Sequence, residues 1–265
     1  MTSHYIDAHC HVQFEQYDED RDRIIEQMRE KGIAAIVVGC DLVSSQKAVA
    51  LAEKHEHLFA SVGVHPNHTD EAFDQEAFRE LAKHPKVVAI GECGLDFFRP
   101  SLLDETEKRR QTELFTMHIS LATELHKPLI IHSRPSKGTQ DAYHDAHAIL
   151  KEAKLAHPHL RGDMHFFVGG IPEAQAFMAL DFTLSFTAVI TFARDYDEVI
   201  RSVPLTSILS ETDAPYVAPL SRRGQRNDPL SVVDVVNKIA EIRSEDPEIL
   251  RTVLFTNTKN LFHLP

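Results

Sequence analysis

The sequence predicts a (β/α)8 barrel of the TIM type, on three observations. Eight short apolar segments recur along the chain, each followed by a helical stretch, with no low-complexity spacer between them. These segments read as nearly continuous apolar runs, the pattern of parallel strands covered on both faces. Metal-capable side chains stand at the ends of most segments, and barrel chemistry sits at the carboxyl ends of the strands. An open doubly wound sheet would need a glycine-rich phosphate loop after an early strand, and no convincing one is present. Residues 1–265 are thus expected to form one barrel domain, large enough for a core without disulfides or structural metal.

Taken in order, the first strand is Tyr5 to Ala8, followed by a polar loop and an amphipathic helix from about Asp20 to Lys31 that Gly32 terminates. Ala34 to Val38 is the second strand, and Ser44 or Ser45 is placed to cap the helix reaching about His55. The third, Leu58 to Val64, ends at His65-Pro66, and Asp70 starts a helix to Lys83. The fourth, Val87 to Ile90, ends at Gly91-Glu92-Cys93-Gly94 and precedes a long helix from about Glu105 to His126. Pro128 to Ile131 is the fifth, ending at His132-Ser133-Arg134, with a helix near Ala142 to Ala156. Arg161 to Phe167 holds the sixth, with His165 inside it. Phe182 to Phe186 and Ser207 to Leu209 are the seventh and eighth, the latter ending at Glu211-Thr212-Asp213. Helices near Leu230 to Arg243 and Pro247 to Phe255 complete the chain.

Composition narrows the function classes. A net charge of -12 argues against a long, sequence-blind grip on nucleic acid, because such binding comes mainly from lysine and arginine meeting phosphates. Local positive charge or bound cations could still serve a phosphate substrate. With 43% hydrophobic residues and no apolar run near twenty, no membrane contact is expected. Met1-Thr2-Ser3-His4 lacks the basic then apolar stretch of a secretory signal, which points to the cytoplasm. Cys10, Cys40 and Cys93 are too few and too scattered for a disulfide framework and read as reduced thiols. No obligate protein partner is indicated.

Histidine pairs one residue apart occur at His9/His11, His55/His57 and His157/His159, and among 17 histidines roughly one such pair arises by chance. Context separates them. Strand ends bring together His9 and His11, His65, Glu92, His132, His165 and Asp213, and crowded carboxylates and imidazoles are costly unless cations bind them. This set exceeds the three or four protein ligands of one tetrahedral zinc. Two divalent cations sharing a carboxylate would use it fully, and Glu92 has two oxygens to divide between them. His9, His11 and Asp213 are then left for one cation, His132 and His165 for the other.

Asp7-Ala8-His9-Cys10-His11, Gly63-Val64-His65-Pro66, Gly91-Glu92-Cys93-Gly94-Leu95-Asp96-Phe97, Ile131-His132-Ser133-Arg134 and Glu211-Thr212-Asp213-Ala214-Pro215-Tyr216 together resemble the TatD family of metal-dependent deoxyribonucleases. The resemblance runs in order over almost the whole chain and takes in Arg223-Gly224, Asn227 and Asn257-Thr258. It implies a barrel of the metal-dependent hydrolase superfamily, with His9, His11, Glu92 and Asp213 at one metal and Glu92, His132 and His165 at the other. The family carries a small residue or cysteine and then Phe-Ser-Gly after the sixth-strand histidine. This chain has Phe166-Phe167-Val168-Gly169 there. Related amidohydrolases that bridge their metals with a modified lysine want a lysine at a strand end, whereas here Glu92 holds that place and Lys86 precedes the strand.

The expected reaction is phosphodiester hydrolysis in DNA, single-stranded or end-directed, supported by two cations (Mg2+, Mn2+ or Zn2+) that lower the pKa of water towards about 7. Asp213 is expected to orient the water and take its proton, and His65 to contact the phosphate or leaving group. Arg134 should share the rim with His132 as a phosphate clamp, and Arg222, Arg223 and Arg226 supply a basic loop, Arg223 being the substrate-binding choice. Asp7 and Glu211 read as supporting groups one layer below the rim. The rival reading is a barrel hydrolase for another ester or amide, such as an aminoacyl-tRNA or a small metabolite, because sequence places metals better than substrates. A binding barrel without chemistry would be expected to lack a ligand, and none is missing.

Overall fold

A computed structural model describes residues 4–68, 73–98 and 104–265. The first half runs β1 (Tyr5–Cys10), α1 (Arg21–Glu30), β2 (Ile33–Val38), α2 (Leu42–Lys54), β3 (Leu58–Val62), α3 (Gln75–Ala82), β4 (Val87–Asp96) and α4 (Glu105–Leu125). The second runs β5 (Leu129–Arg134), α5 (Asp141–Ala156), β6 (Gly162–His165), α6 (Ile171–Met178), β7 (Phe182–Phe186), α7 (Asp197–Ser202), β8 (Ile208–Ser210), α8 (Val232–Arg243) and α9 (Pro247–Phe262). The strands lie in the order β1 to β8 and every adjacent pair is parallel, as the sequence predicts. A bridge between Cys10 and Ala214 and the buried carboxylate of Asp7 draw β8 back to β1. Thr212 donates to that carboxylate from its N–H at 2.8 Å and its hydroxyl at 2.6 Å. The result is a (β/α)8 barrel.

Two apolar layers follow from the period-2 alternation of strand side chains. Ile6, Ala34, Ile36, Phe59, Ala89, Ile130 and Leu209 form the inner cluster, and Leu261, Phe262 and Leu264 join it to close one end of the barrel. That closure explains why α9 runs on to Phe262, beyond the Phe255 expected from sequence. Ala35, Val37, Ala60, Cys93, Ile131, Met164 and Leu184 belong to the outer cluster together with the helices. The register shifts at three places, between Ala60 and Ser61 in the β3–β4 pairing, between Asp7 and Cys10 on β1 and between Ile90 and Cys93 on β4. Such irregularities re-aim side chains, and the last two sit where ligand-type residues leave the strand.

Helix starts follow capping chemistry. Asp41, not Ser44 or Ser45, caps α2: its carboxylate accepts from Ser44 N–H at 2.6 Å while the Ser44 hydroxyl accepts from Asp41 N–H at 3.0 Å. Asp74 and Asp104 cap α3 and α4 in the same way. The expected start at Asp70 lies outside the described residues.

The buried His118 on α4 locks the end of β3. Its Nε2 accepts from Val64 N–H at 2.9 Å and its Nδ1 lies 2.8 Å from Leu114 O, so it is a neutral ring with the proton on Nδ1. Burial pushes its pKa down to about 4 from the ordinary 6.5. The unfolded chain therefore takes up a proton first as pH falls, and stability drains away between pH 6.5 and about 4. His118→Gln can keep both hydrogen bonds without titrating. Between pH 7 and 4.5 this variant is expected to lose about 2.5 kcal/mol less stability than the parent chain, read from urea midpoints. Equal losses in both proteins would remove His118 as the cause.

Candidate active site

The carboxyl ends of the strands surround a cavity of about 840 Å³. Glu92 occupies its floor, and the two oxygens of its carboxylate face different histidines. Oε2 lies 3.5 Å from His9 Nε2 and 3.9 Å from His11 Nε2. Oε1 lies 3.0 Å from His132 Nδ1 and 3.6 Å from both His65 Nε2 and His165 Nε2. Asp213 Oδ1 completes the floor at 3.5 Å from His11 Nε2, 3.8 Å from His9 Nε2 and 4.0 Å from His165 Nε2. All seven residues chosen at strand ends are thus in one place. His65 joins His132 around Oε1, while His165 stacks on His9 at 3.6 Å between centroids and links the two halves.

Hydrogen bonds fix which nitrogen each ring presents. His11 Nδ1 sits 2.8 Å from the Val38 carbonyl, so its proton lies there and Nε2 turns a lone pair into the site. His165 Nδ1 faces Glu211 Oε1 at 2.9 Å, with the same effect. His65 is reversed: its Nδ1 accepts from Asn67 N–H at 3.1 Å, which puts the proton of the neutral ring on Nε2, facing the cavity. Burial and the neighbouring His132 push the His65 pKa down to about 3, so it stays neutral and donates a hydrogen bond. His132 has a carboxylate at each nitrogen, Glu92 on one side and Asp96 Oδ2 at 3.1 Å on the other.

The electrostatics match a site made for cations. Burial alone would raise the Glu92 carboxyl, but the imidazoles of His65 and His9 and the contact with His132 outweigh it and hold it well below the usual carboxylate range. Asp213 is also held ionised: burial raises it, and the His11 contact and the field of His165 more than reverse that. Burial works to lower His165, yet Glu211, Glu92 and Asp213 push it up to about 10, so without a cation Nε2 also carries a proton, which a bound cation would displace to take the lone pair. Three closely grouped donor sets result, His9/His165/Glu211, His9/His11/Glu92 and His65/Glu92/His132. Ionised carboxylates beside imidazole lone pairs suit divalent cations, so the donor set fits a metal centre.

Supporting groups reach below the floor. Glu211 is buried, accepts from Phe166 N–H at 2.8 Å and from the Ser185 hydroxyl at 2.8 Å, and Ser185 also lies 2.5 Å from Asp163. Gly94, at φ +132, lets β4 approach β5 closely; a Cβ there would fall 2.1 Å from the His132 carbonyl. Cys10 and Cys93 point away from the site into the outer apolar layer. Cys40 instead lines the cavity, 3.5 Å from Glu92 Oε2.

The basic loop expected after β8 is largely spoken for. Arg222 pairs with Asp228 at 2.7 Å, and Arg226 pairs with Asp20 at 2.7 Å while covering the Tyr17 ring. Arg223 lies 3.6 Å over the Phe192 ring and is not among the cavity-lining residues. Arg134 does line the cavity, stacked 3.8 Å over Phe98. Sequence reasoning left Asp96 and Asn67 without a role, yet Asn67 donates to Asp96 Oδ2 at 2.8 Å and thereby steadies the carboxylate beside His132. The missed signal is the even spacing from Glu92 through Gly94 to Asp96, which counts only when β4 is carried past Ile90.

Comparisons with known proteins give the family. The sequence profile of a family described as TatD related DNase matches residues 6–263. The chain is 36% identical over 263 residues to an uncharacterized metal-dependent hydrolase, YabD, of Bacillus subtilis, covering 97% of this chain and 98% of that protein. It is 32% identical to the 3'-5' ssDNA/RNA exonuclease TatD of Erwinia billingiae, over 94% of this chain and 95% of that one. The crystal structure of YjjV, a TatD homolog from Escherichia coli K12, superposes with a TM-score of 0.89 at 30% identity over the whole of both chains. The chain belongs to the TatD family and is a metal-dependent hydrolase.

Proposed function

We propose that the protein hydrolyses phosphodiester bonds of DNA, as single strands or from strand ends, using two divalent cations held on either side of Glu92. The observation that carries this reading is the division of the Glu92 carboxylate, with Oε2 towards His9 and His11 and Oε1 towards His132 and His165. His9, His11, Glu92 and Asp213 would hold one cation, and Glu92, His132 and His165 the other, with Mg2+, Mn2+ or Zn2+ as the candidates. Bound there, cations supply Lewis acidity towards the phosphate and make water more acidic, which no side chain in the cavity provides.

The chain's own residues do the rest. Asp213 Oδ1, ionised at neutral pH, takes the proton of the attacking water. His65, neutral with its proton on Nε2, donates to a phosphate oxygen and keeps that donor at any pH well above 3. Arg134, held flat on Phe98, is the one lysine or arginine lining the cavity among the described residues and receives the phosphate from the β5 side.

The test is hydrolysis of short single-stranded DNA by protein reloaded with Mg2+, Mn2+ or Zn2+, beside RNA and a panel of esters and amides. Cleavage of the DNA is expected. Intact DNA under every metal, with turnover of an ester or amide, would overturn the nuclease reading in favour of another barrel hydrolase.

A further inference from the structure

We infer that the wall formed by Phe14, Phe166 and Tyr216 seats a nucleobase beside the cleaved bond by stacking, so that the enzyme recognises the base as well as the backbone of its substrate. This rests on the phosphodiesterase reading above.

The cavity is sharply two-sided. The quadrant from β6 through β7 and β8 to β1 lines it with Phe14, Phe166, Val189, Tyr196, Tyr216 and Val217. The facing side, from β3 to β5, offers Asn67, His68, Asp96 and Arg134. A nucleotide has the same division, with a flat apolar base on one side and a polar sugar-phosphate on the other.

Geometry favours a planar guest. The Phe14 ring stacks on the His11 ring, 4.6 Å between centroids and 10° between planes, and both line the cavity. Tyr216 stands edge-on to His11 at 6.2 Å between centroids and lines the cavity with 49% of its surface exposed, open to a guest. Phe166 follows His165 directly and sits at φ 49, a left-handed backbone that bulky residues rarely adopt. Its N–H is fixed on Glu211 Oε1 at 2.8 Å and its ring stands edge-on to His165 at 5.9 Å, so the strained residue presents an aromatic wall to the cavity. Backbone outliers of this kind cluster at binding sites.

Charge supplies the independent reason. The chain carries a net charge of -12, and among the described residues the cavity lining holds one arginine, so beyond the reacting phosphate, which bound cations would serve, little positive charge is left to grip the rest of a strand. Stacking on aromatic rings supplies the remainder and works only on a base out of its duplex.

The experiment compares, in the Mn2+-loaded protein, kcat/KM for a short thymidine oligonucleotide and for one of equal length whose nucleotides around the cleaved bond lack bases. The parent protein is expected to favour the base-bearing strand about tenfold or more. In Phe166→Gly and in Tyr216→Ala that ratio should fall towards one, while Phe166→Tyr keeps it. Glycine suits the left-handed backbone at 166, and the Tyr216 ring lies outside the core, so neither variant should unfold. An unchanged ratio in both variants overturns the wall's role and leaves the nuclease reading standing. Failure to cut either strand overturns the nuclease reading and this inference with it.

Discussion

Glu92→Ala is expected to lower kcat/KM by about a thousandfold or more and to leave the protein unable to retain its full complement of divalent cations. The reason is geometric. Every predicted ligand but Asp213 lies within 3.9 Å of a Glu92 oxygen, so removing the carboxylate takes an oxygen from both halves of the centre at once. Glu92→Gln should do nearly as much harm, although it fills the same space, because an amide offers one neutral oxygen where the carboxylate offers two charged ones. The measurement pairs turnover of single-stranded DNA with elemental analysis of cations kept after dialysis. A Glu92→Gln protein with a full cation load and parental turnover would refute the bridging role.

The barrel was legible because its signal is redundant. Strands such as Ala34 to Val38 and Phe182 to Phe186 are apolar on both faces, and that pattern survives small errors in their ends. The floor residues were legible for a related reason: a strand end is fixed within a residue or two by the apolar run before it, and His9, His11, Glu92, His132, His165 and Asp213 all follow such runs directly. Parity also placed Asp7 one layer beneath the site, where its buried carboxylate accepts from His9 N–H at 3.2 Å and from Thr212, tying β1 to β8.

The walls could not be read, because they depend on partners distant in sequence. Arg222 and Arg226 look like phosphate clamps until Asp228 and Asp20 are seen to neutralise them. Asp96 acquires meaning only through His132 on the next strand and Asn67 on the preceding loop. His65 qualifies as a ligand by residue type, and only the Asn67 N–H, by claiming Nδ1, turns its other nitrogen into a donor. Tautomers are set by backbone groups that no side-chain motif reveals.

The second large effect separates the two halves of the centre. His9→Ala with His11→Ala should abolish one cation's binding while His132 and His165 still hold the other beside Glu92 Oε1; His132→Ala with His165→Ala should do the reverse, leaving His9, His11 and Asp213 beside Oε2. Each double variant is expected to bind about one Mn2+ where the parent binds two, and to lose about a thousandfold in kcat/KM, because two-metal chemistry requires both. The remaining cation should bind about ten- to a hundredfold more weakly, since His9 and His165 stack at 3.6 Å and each loses a wall when the other is cut to alanine. Calorimetric titration of metal-free protein with Mn2+ reads stoichiometry and affinity without relying on turnover. If the His9/His11 variant binds no cation at all, the halves are not independent, and the histidines of β5 and β6 serve the substrate or the fold without holding a metal of their own.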